Sequence, residues 1–171
     1  MTLDLALLLL RMVIGAVVIQ HGLLKLGIVG KGGSPKGVAG WFNSLGLRPG
    51  AFWAWTAIAA EVGGSLLMIL GLGGPIGPAI MAGDLVVVTI VVHWPQGFWA
   101  GGGKVGWEFP LPLAASSLAI ALAGNGTWSL DRLLGITYPD WLLPAWLVIV
   151  AAGVVLALGV RAIQAPKPAA S

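Results

Sequence analysis

The sequence predicts an all-α membrane protein, with a four-helix transmembrane core, a fifth C-terminal transmembrane helix and a short interfacial helix in the first loop. Of the 171 residues, 58% are hydrophobic and 9% are charged, and the mean hydropathy is +0.96. Soluble domains carry about 25% charged residues, so this chain has too few polar side chains to cover a water-soluble surface. Five apolar runs, most of them near the length of roughly 20 residues that crosses a bilayer, supply the helices.

The first run, residues 3–26, predicts a retained span and not a cleaved leader. Asp4 precedes the run, Arg11 interrupts its middle, and no small-residue cleavage site follows it. The next loop is basic and rich in Gly, and four apolar residues within it fall on one helical face. These residues are Val38, Trp41, Phe42 and Leu45. They predict a short helix that lies at the membrane interface.

Four further spans follow in order. They are expected over residues 51–72, 76–93, 111–123 and 141–160. The fourth is short, and Pro112 fits in its first turn, where no intrahelical hydrogen bond is lost. The chain therefore divides into a four-helix core (1–131), a loop with the fifth span (132–161), and a cytoplasmic tail expected to be disordered (162–171).

The composition also excludes several functions. Without cysteine, the chain cannot form disulfides, thiolate metal sites or a cysteine nucleophile. The net charge of +3 comes with no basic stripe of interleaved aromatics, so no nucleic-acid partner is expected. The GGGK segment at 101–104 lacks the Ser or Thr and the preceding strand of a phosphate-binding loop. No metal site is predicted.

The distribution of basic residues predicts the orientation of the chain in the membrane. Cytoplasmic loops carry an excess of Lys and Arg. With five spans, the first loop, the third loop and the C-terminus share one side, which holds Lys25, Lys31, Lys36, Arg48, Lys104, Arg161 and Lys167. The other side holds only Arg132. We therefore predict an external N-terminus and a cytoplasmic C-terminus.

Three charged residues lie inside apolar runs and are expected to form one cluster. Arg11, Glu61 and Asp84 lie roughly 12, 16 and 12 Å from the outer ends of their spans, from the rise of 1.5 Å per residue. An isolated charge in hydrocarbon costs several kcal/mol, so each charge needs a partner. In one interpretation, Arg11 bridges the two carboxylates and fixes helix packing. In another, Glu61 and Arg11 form a catalytic pair that takes and gives a proton. In a third, two of the three residues line a polar ligand pocket.

The two histidines and Lys25 are candidate ligand contacts. His21 and Lys25 are four residues apart and share a helix face, and His93 ends the third span on the same side of the membrane. Three interpretations stay open. The histidines could hydrogen-bond a quinone or transfer protons, they could be ordinary interfacial residues, or they could ligate haem. Haem is disfavoured because both residues lie at helix ends and the chain has no further histidine.

The loop between the third and fourth spans concentrates aromatic and polar residues. Most of the nine tryptophans lie at predicted span ends, which is typical of an interfacial aromatic belt. Trp94, Trp99 and Trp107 differ because they share one Gly-rich loop with His93 and Glu108. We therefore treat Trp94 and Glu108 as candidate ligand contacts, and expect Glu108 and Lys104 to gate access.

Several segments together resemble the DoxX-like family of small bacterial membrane proteins. The segments are LLLLRMVIGAVVIQHGLLKLG (7–27), WFNSLGL (41–47), AEVGGSLLMILGL (60–72), VVHWPQGFWAGGG (91–103), WEFPLPL (107–113) and SLD (129–131). The resemblance implies a four-helix core in the bacterial inner membrane. It places the family's polar positions at Arg11, His21, Lys25, Glu61, His93 and Glu108. Asp84 and the fifth span depart from the family's usual pattern.

The resemblance also implies a link to redox enzymes, since the family includes the membrane part of thiosulfate–quinone oxidoreductase. The leading hypothesis is a membrane subunit of a redox enzyme that contacts quinone and supports electron and proton transfer at the cytoplasmic interface. The alternative is a non-catalytic scaffold subunit of a respiratory or photosynthetic complex, held by partner subunits through the fifth helix. A transporter ranks last, because the sequence has no inverted repeat or broken helix pair. No covalently bound cofactor is expected.

Overall fold

The computed structural model describes residues 1–165, which are helices and loops with one isolated bridge between Gly101 and Lys104. The helices are α1 (Thr2–Leu26), α2 (Pro35–Ser44), α3 (Gly50–Leu70), α4 (Ile76–Gln96), α5 (Pro110–Ala123), α6 (Leu130–Leu133) and α7 (Leu142–Gln164). Four of them, α1, α3, α4 and α7, are long and apolar enough to cross a membrane, and α5 is a shorter apolar helix. The predicted all-α membrane bundle is confirmed, and a lipid bilayer is its environment.

The core is a ring of four helices. Helix α1 packs against α3 and α5, and α4 packs against the same two helices from the other side. Their facing side chains form one buried cluster of Ile14, Val18, Met68, Met81, Leu85, Ala114 and Ile120. Because lipid supplies no hydrophobic drive between helices, close packing of this kind holds the ring together.

Two glycines on α1 set the register between α1 and α3. A Cβ added at Gly15 would lie 2.5 Å from Ile69 Cγ1, and one added at Gly22 would lie 2.6 Å from Val62 Cγ2. The glycines therefore let the two backbones approach closely, as small residues do in membrane bundles. The two helices run antiparallel, so residues near 22 on α1 are level with residues near 62 on α3.

Helix α2 is the predicted short helix of the first loop. Its N-terminus is capped by the Ser34 hydroxyl, which accepts a hydrogen bond from the Gly37 amide at 3.1 Å. Pro35 follows the cap, at a position where its missing N–H is not needed. The helix packs on α3 and buries Phe42, while Trp41 stays exposed. Its position at the bilayer interface stays a prediction.

Helix α7 packs against α4 through a tight contact. A Cβ added at Gly83 would lie 2.4 Å from Val150 Cγ1, and the Trp146 indole donates to the Ile76 carbonyl at 3.2 Å. The helix ends at Gln164, beyond the predicted end at residue 160, so the first residues of the predicted tail are helical. Residues 166–171 of that tail lie outside the described residues.

Two of the spanning helices contain a π-helical turn. One covers Ala60–Gly64 within α3, and the other covers Thr89–His93 near the end of α4. A π-turn inserts an extra residue into an α-helix and is frequent at functional sites. Glu61 and His93, two of the predicted site residues, lie in these two turns.

Candidate functional site

A single large cavity collects five ionisable side chains. Its volume is about 510 Å³, and helices α1, α2, α3, α4, α5 and α7 all contribute to its wall, together with the loop before α5. The ionisable side chains on the wall are His21, Lys25, Glu61, Asp84 and His93. The rest of the lining is almost entirely apolar, with Thr56 as a further polar residue. Ligand pockets have this character and a size of about 300–1,000 Å³.

The strongest polar contact on the cavity wall is an ion pair between α1 and α3. The Lys25 Nζ lies 2.5 Å from Glu61 Oε1 and 2.6 Å from Glu61 Oε2. Both side chains are largely buried, with 16% of Lys25 and 6% of Glu61 exposed. The close approach at Gly22 brings the two helices together here, since a Cβ at Gly22 would lie 3.1 Å from the Glu61 Cβ. Lys25 is therefore the counter-ion of Glu61.

The predicted pairing of Arg11 with Glu61 and Asp84 is wrong. The Arg11 guanidinium donates to the Trp128 carbonyl and lies against Gly71, where an added Cβ would meet Arg11 Nη1 at 1.7 Å. Glu61 is ten residues before Gly71 on the same segment, which is roughly 15 Å of helix. Arg11 therefore lies at the end of the bundle where α3 ends, roughly 15 Å along the helix from Glu61.

The depth estimate failed because the ends of the helices are not level. The first turns of α1 extend past the end of α3 and contact a later loop, where Asp4 Oδ1 accepts from the Thr127 amide at 2.9 Å. Counting residues from each predicted end therefore placed Arg11 too close to Glu61. Arg11 is fully buried, as expected for a charge inside an apolar run, but its hydrogen-bond partner is a backbone carbonyl.

Asp84 lies on the same cavity wall as the ion pair. Its Oδ2 atom is buried and has no hydrogen-bond partner among residues 1–165. Glu61 and Asp84 therefore line the same cavity, and Lys25 is the cation beside Glu61 where Arg11 was expected. A buried carboxylate oxygen without a donor is costly, so Asp84 is suited to holding a proton or a ligand's donor.

The two histidines also lie on the cavity wall. His93 Nδ1 is 2.6 Å from the Val105 carbonyl oxygen. A carbonyl only accepts hydrogen bonds, so Nδ1 carries the proton, and Nε2 of the neutral ring is the acceptor. His21 stands one helical turn before Lys25 on α1. Within residues 1–165, no three His, Asp or Glu residues form a group that could hold a metal ion.

Trp94 and Glu108 are not on the cavity wall, so the structure does not bring them to the other predicted ligand contacts. Glu108 Oε1 accepts from the Ala100 amide at 2.6 Å and closes the loop on itself. Trp94 stacks on Trp107, with ring centroids 5.2 Å apart and planes 16° apart. These contacts order the loop, whose Val105 reaches the cavity instead. Ligand contact by Trp94 and Glu108 stays a prediction, as does gating by Glu108 and the exposed Lys104.

A second polar cluster, at the Arg11 end of the bundle, was missed. Asp131 Oδ1 accepts from the Gly73 amide at 3.0 Å and the Tyr138 hydroxyl at 2.7 Å. Asp131 Oδ2 accepts from the Gly74 amide at 2.8 Å and Asn125 Nδ2 at 2.9 Å. Burial acts to raise the pKa of Asp131, but the hydrogen bonds outweigh it and lower that pKa below its ordinary value. The only sequence signal was the short SLD segment.

Comparison with known families bears on the first four helices. The model of the DoxX family matches residues 6–94, just over half of the chain. No curated protein and no solved structure matches the chain. The matched range runs from α1 to the end of the π-turn in α4, so it contains all five ionisable residues of the cavity wall. Helices α5 and α7 and the segments quoted at 107–113 and 129–131 lie beyond it.

Proposed function

The chain belongs to the DoxX family and is a multi-pass membrane protein, and from this premise we propose that it binds a membrane-dissolved quinone in the cavity and supports proton-coupled redox chemistry there. The observation that carries the proposal is the composition of the cavity wall, where five ionisable side chains interrupt an otherwise apolar lining. A quinone needs this combination, because its ring is apolar and its two carbonyl oxygens accept hydrogen bonds. The redox link implied by the family resemblance points in the same direction.

The residues divide the chemistry between them. Reduction of a quinone to a quinol takes up two electrons and two protons. In this proposal the electrons come from a redox partner subunit, and the protons pass through the cavity wall. Protonated at Nε2, His93 would donate to one carbonyl oxygen while its Nδ1–H stays bound to Val105. Glu61, held by Lys25, and Asp84, with its free oxygen, would take and give the protons.

The experiment measures quinone binding by the purified protein in lipid nanodiscs, and quinone-linked turnover by the complex isolated from its own host together with its redox partner subunit. The Glu61→Gln variant should lose quinone-linked turnover while the protein still assembles. Asp140→Asn is the control, since Asp140 is an exposed carboxylate that lies off the cavity wall. A Glu61→Gln protein with full turnover would contradict the proposal.

If mutating Glu61 alone prevents folding, the result does not distinguish a structural role of the ion pair from a role in the chemistry. The double variant Lys25→Met with Glu61→Gln separates the two roles, because it removes both charges together and leaves neither unpaired. We expect this variant to fold and to remain inactive. If it folds and turns over quinone normally, the ion pair has no part in the chemistry.

A second candidate function is a scaffold subunit held through α7, and the exposure of that helix favours it. Val148 is 68% exposed and Val155 is 70% exposed on the face away from the bundle. Either lipid or the helix of a partner subunit would cover this face. Substituting both valines with Trp should release the protein from a complex isolated from its own host, while Trp at Val105 should not.

We also propose an inner-membrane location with the N-terminus outside and the C-terminus in the cytoplasm. The excess of Lys and Arg in alternate loops supports this orientation. The cavity would then lie toward the cytoplasmic face, where the Lys25 end of α1 meets the loop before α5. A reporter enzyme that is active only in the cytoplasm should be active when it is fused after Ser171. A reporter active only outside would reverse the orientation.

A further inference from the structure

One wall of the cavity is apolar throughout and is supplied by α7. The α7 residues that line the cavity are Val150, Gly153, Val154, Leu156 and Ala157. All five ionisable groups come from α1, α3 and α4. The cavity therefore combines a polar group of side chains with a separate, entirely apolar helix face.

The fit of α7 against α4 is tight at one point and open at another. At Gly83, an added Cβ would clash with Val150 Cγ1 at 2.4 Å, so the helices touch there. Gly153 lies about one turn further along α7, and a Cβ added there would meet no atom within 4 Å. Packing between the helices therefore does not require the small residue at 153. The missing side chain instead leaves room on the cavity wall.

The volume of the cavity exceeds what a ring-sized head group needs. A cavity of about 150 Å³ is large enough to bind benzene. The cavity here, at about 510 Å³, would leave more than half of its volume for another part of the ligand. That remaining part must be apolar where it meets α7, since every α7 residue on the wall is apolar.

We propose that the α7 wall holds the apolar tail of the ligand, so that the ligand is a long-chain isoprenoid quinone and Gly153 determines the tail that fits. This inference rests on the proposed function, because it assigns the tail of the molecule whose head group lies at Lys25, Glu61 and His93. The family match ends at residue 94, so the α7 wall is a feature of this chain outside the matched range.

The test compares two probes with the same benzoquinone head group in nanodiscs. One probe carries a single isoprenoid unit and the other carries eight. At equal mole fraction in the bilayer, the wild-type protein should bind the long probe about tenfold more tightly, since its tail gains packing contacts with the α7 wall that the short probe lacks. The Gly153→Leu variant should lower the affinity for the long probe about tenfold and leave the short probe within about twofold.

Gly159→Leu is the matched control, because Gly159 lies on the same helix, also has open space at its Cβ position, and is not on the cavity wall. It should bind both probes as the wild type does. Gly153→Ala is the smaller change to use if Gly153→Leu disturbs the fold. It should give an intermediate loss of affinity for the long probe. Thermal unfolding of all three variants identifies such a disturbance.

The outcomes separate this inference from the proposed function. Failure of the wild type to bind either probe overturns both. Equal binding of both probes, with no effect of Gly153→Leu, overturns the tail assignment and leaves the head-group site standing. Co-purified phospholipid that occupies the α7 wall and is not displaced by the long probe also overturns the tail assignment.

Discussion

The two ends of the bundle use buried carboxylates in opposite ways. At one end, Asp131 accepts four hydrogen bonds, which tie together three segments of the chain. At the other end, Glu61 has one cation, and Asp84 keeps an oxygen with no partner among residues 1–165. A carboxylate with all its hydrogen bonds satisfied acts as a structural tie. A carboxylate left short of donors beside a cavity is available for a ligand or a proton.

The largest effect is expected from breaking the ion pair on one side only. Lys25→Met leaves the Glu61 carboxylate buried without its cation, and such a loss costs about 3–5 kcal/mol. Unfolding in denaturing detergent should show this loss. Adding Glu61→Gln to the variant should recover most of it. Lys36→Met, at an exposed lysine, should change stability little, and an equal loss there would show that the measurement does not report the ion pair.

The next largest effect is expected at the opposite end. Asp131→Asn replaces one acceptor oxygen with an NH₂ group that faces existing donors, so the unfolding free energy should fall by about 3 kcal/mol. Asp140→Asn, at an exposed carboxylate, is the control. A loss of less than about 0.5 kcal/mol at Asp131 would contradict the role of Asp131 as a structural tie.

The same residue predicts a pH dependence. Hydrogen bonding lowers the pKa of Asp131 in the folded protein, so its stabilisation is complete above its unfolded pKa of about 3.9. As pH falls below the unfolded pKa, the unfolded chain binds a proton that the folded protein does not yet bind. The stabilisation therefore declines and is lost once pH falls through the lower, folded pKa. Wild-type stability should therefore decline more steeply than that of Asp131→Asn below about pH 4. Parallel curves for the two proteins would rule out this contribution.

A smaller loss is expected at Gly71, the glycine next to Arg11. Gly71 has a φ of 62°, and an added Cβ would collide with Arg11 Nη1. Gly71→Ala should cost about 2 kcal/mol from strain and collision together. Gly135→Ala isolates the strain, since Gly135 has a φ of 66° and open space at its Cβ position. Equal losses at the two glycines would mean that the Arg11 contact contributes nothing.

The smallest effect on stability is expected at Asp84. Asp84→Asn keeps the size of the side chain and removes no hydrogen bond from the Oδ2 atom, so stability should change by less than about 1 kcal/mol. Quinone-linked turnover should nevertheless fall, since Asn cannot carry the proton. The contrast with Asp131→Asn sharpens the comparison of the two ends. A large loss of stability at Asp84 would place it with the structural carboxylates.

Much of the site could be predicted from local sequence. The sequence predicts five ionisable site residues in or near the apolar spans, and all five line one cavity: His21, Lys25, Glu61, Asp84 and His93. They stand out because ionisable residues are rare in apolar spans and need a reason to be there. Trp94 and Glu108 were grouped with them only through a shared loop. The loop folds back on itself, through the stacking of Trp94 on Trp107, and keeps both residues off the cavity wall.

The sequence by itself determined the membrane class, the five apolar helices and the short helix α2, because hydropathy and helical periodicity are properties of contiguous residues. Only the tertiary structure decided which charges meet. The relative heights of α1 and α3 depend on the contacts at Gly15 and Gly22. Because of those heights, Glu61 pairs with Lys25, and Arg11 donates to the Trp128 carbonyl instead. Pairing between helices depends on register and packing across the bundle, which no stretch of one helix encodes.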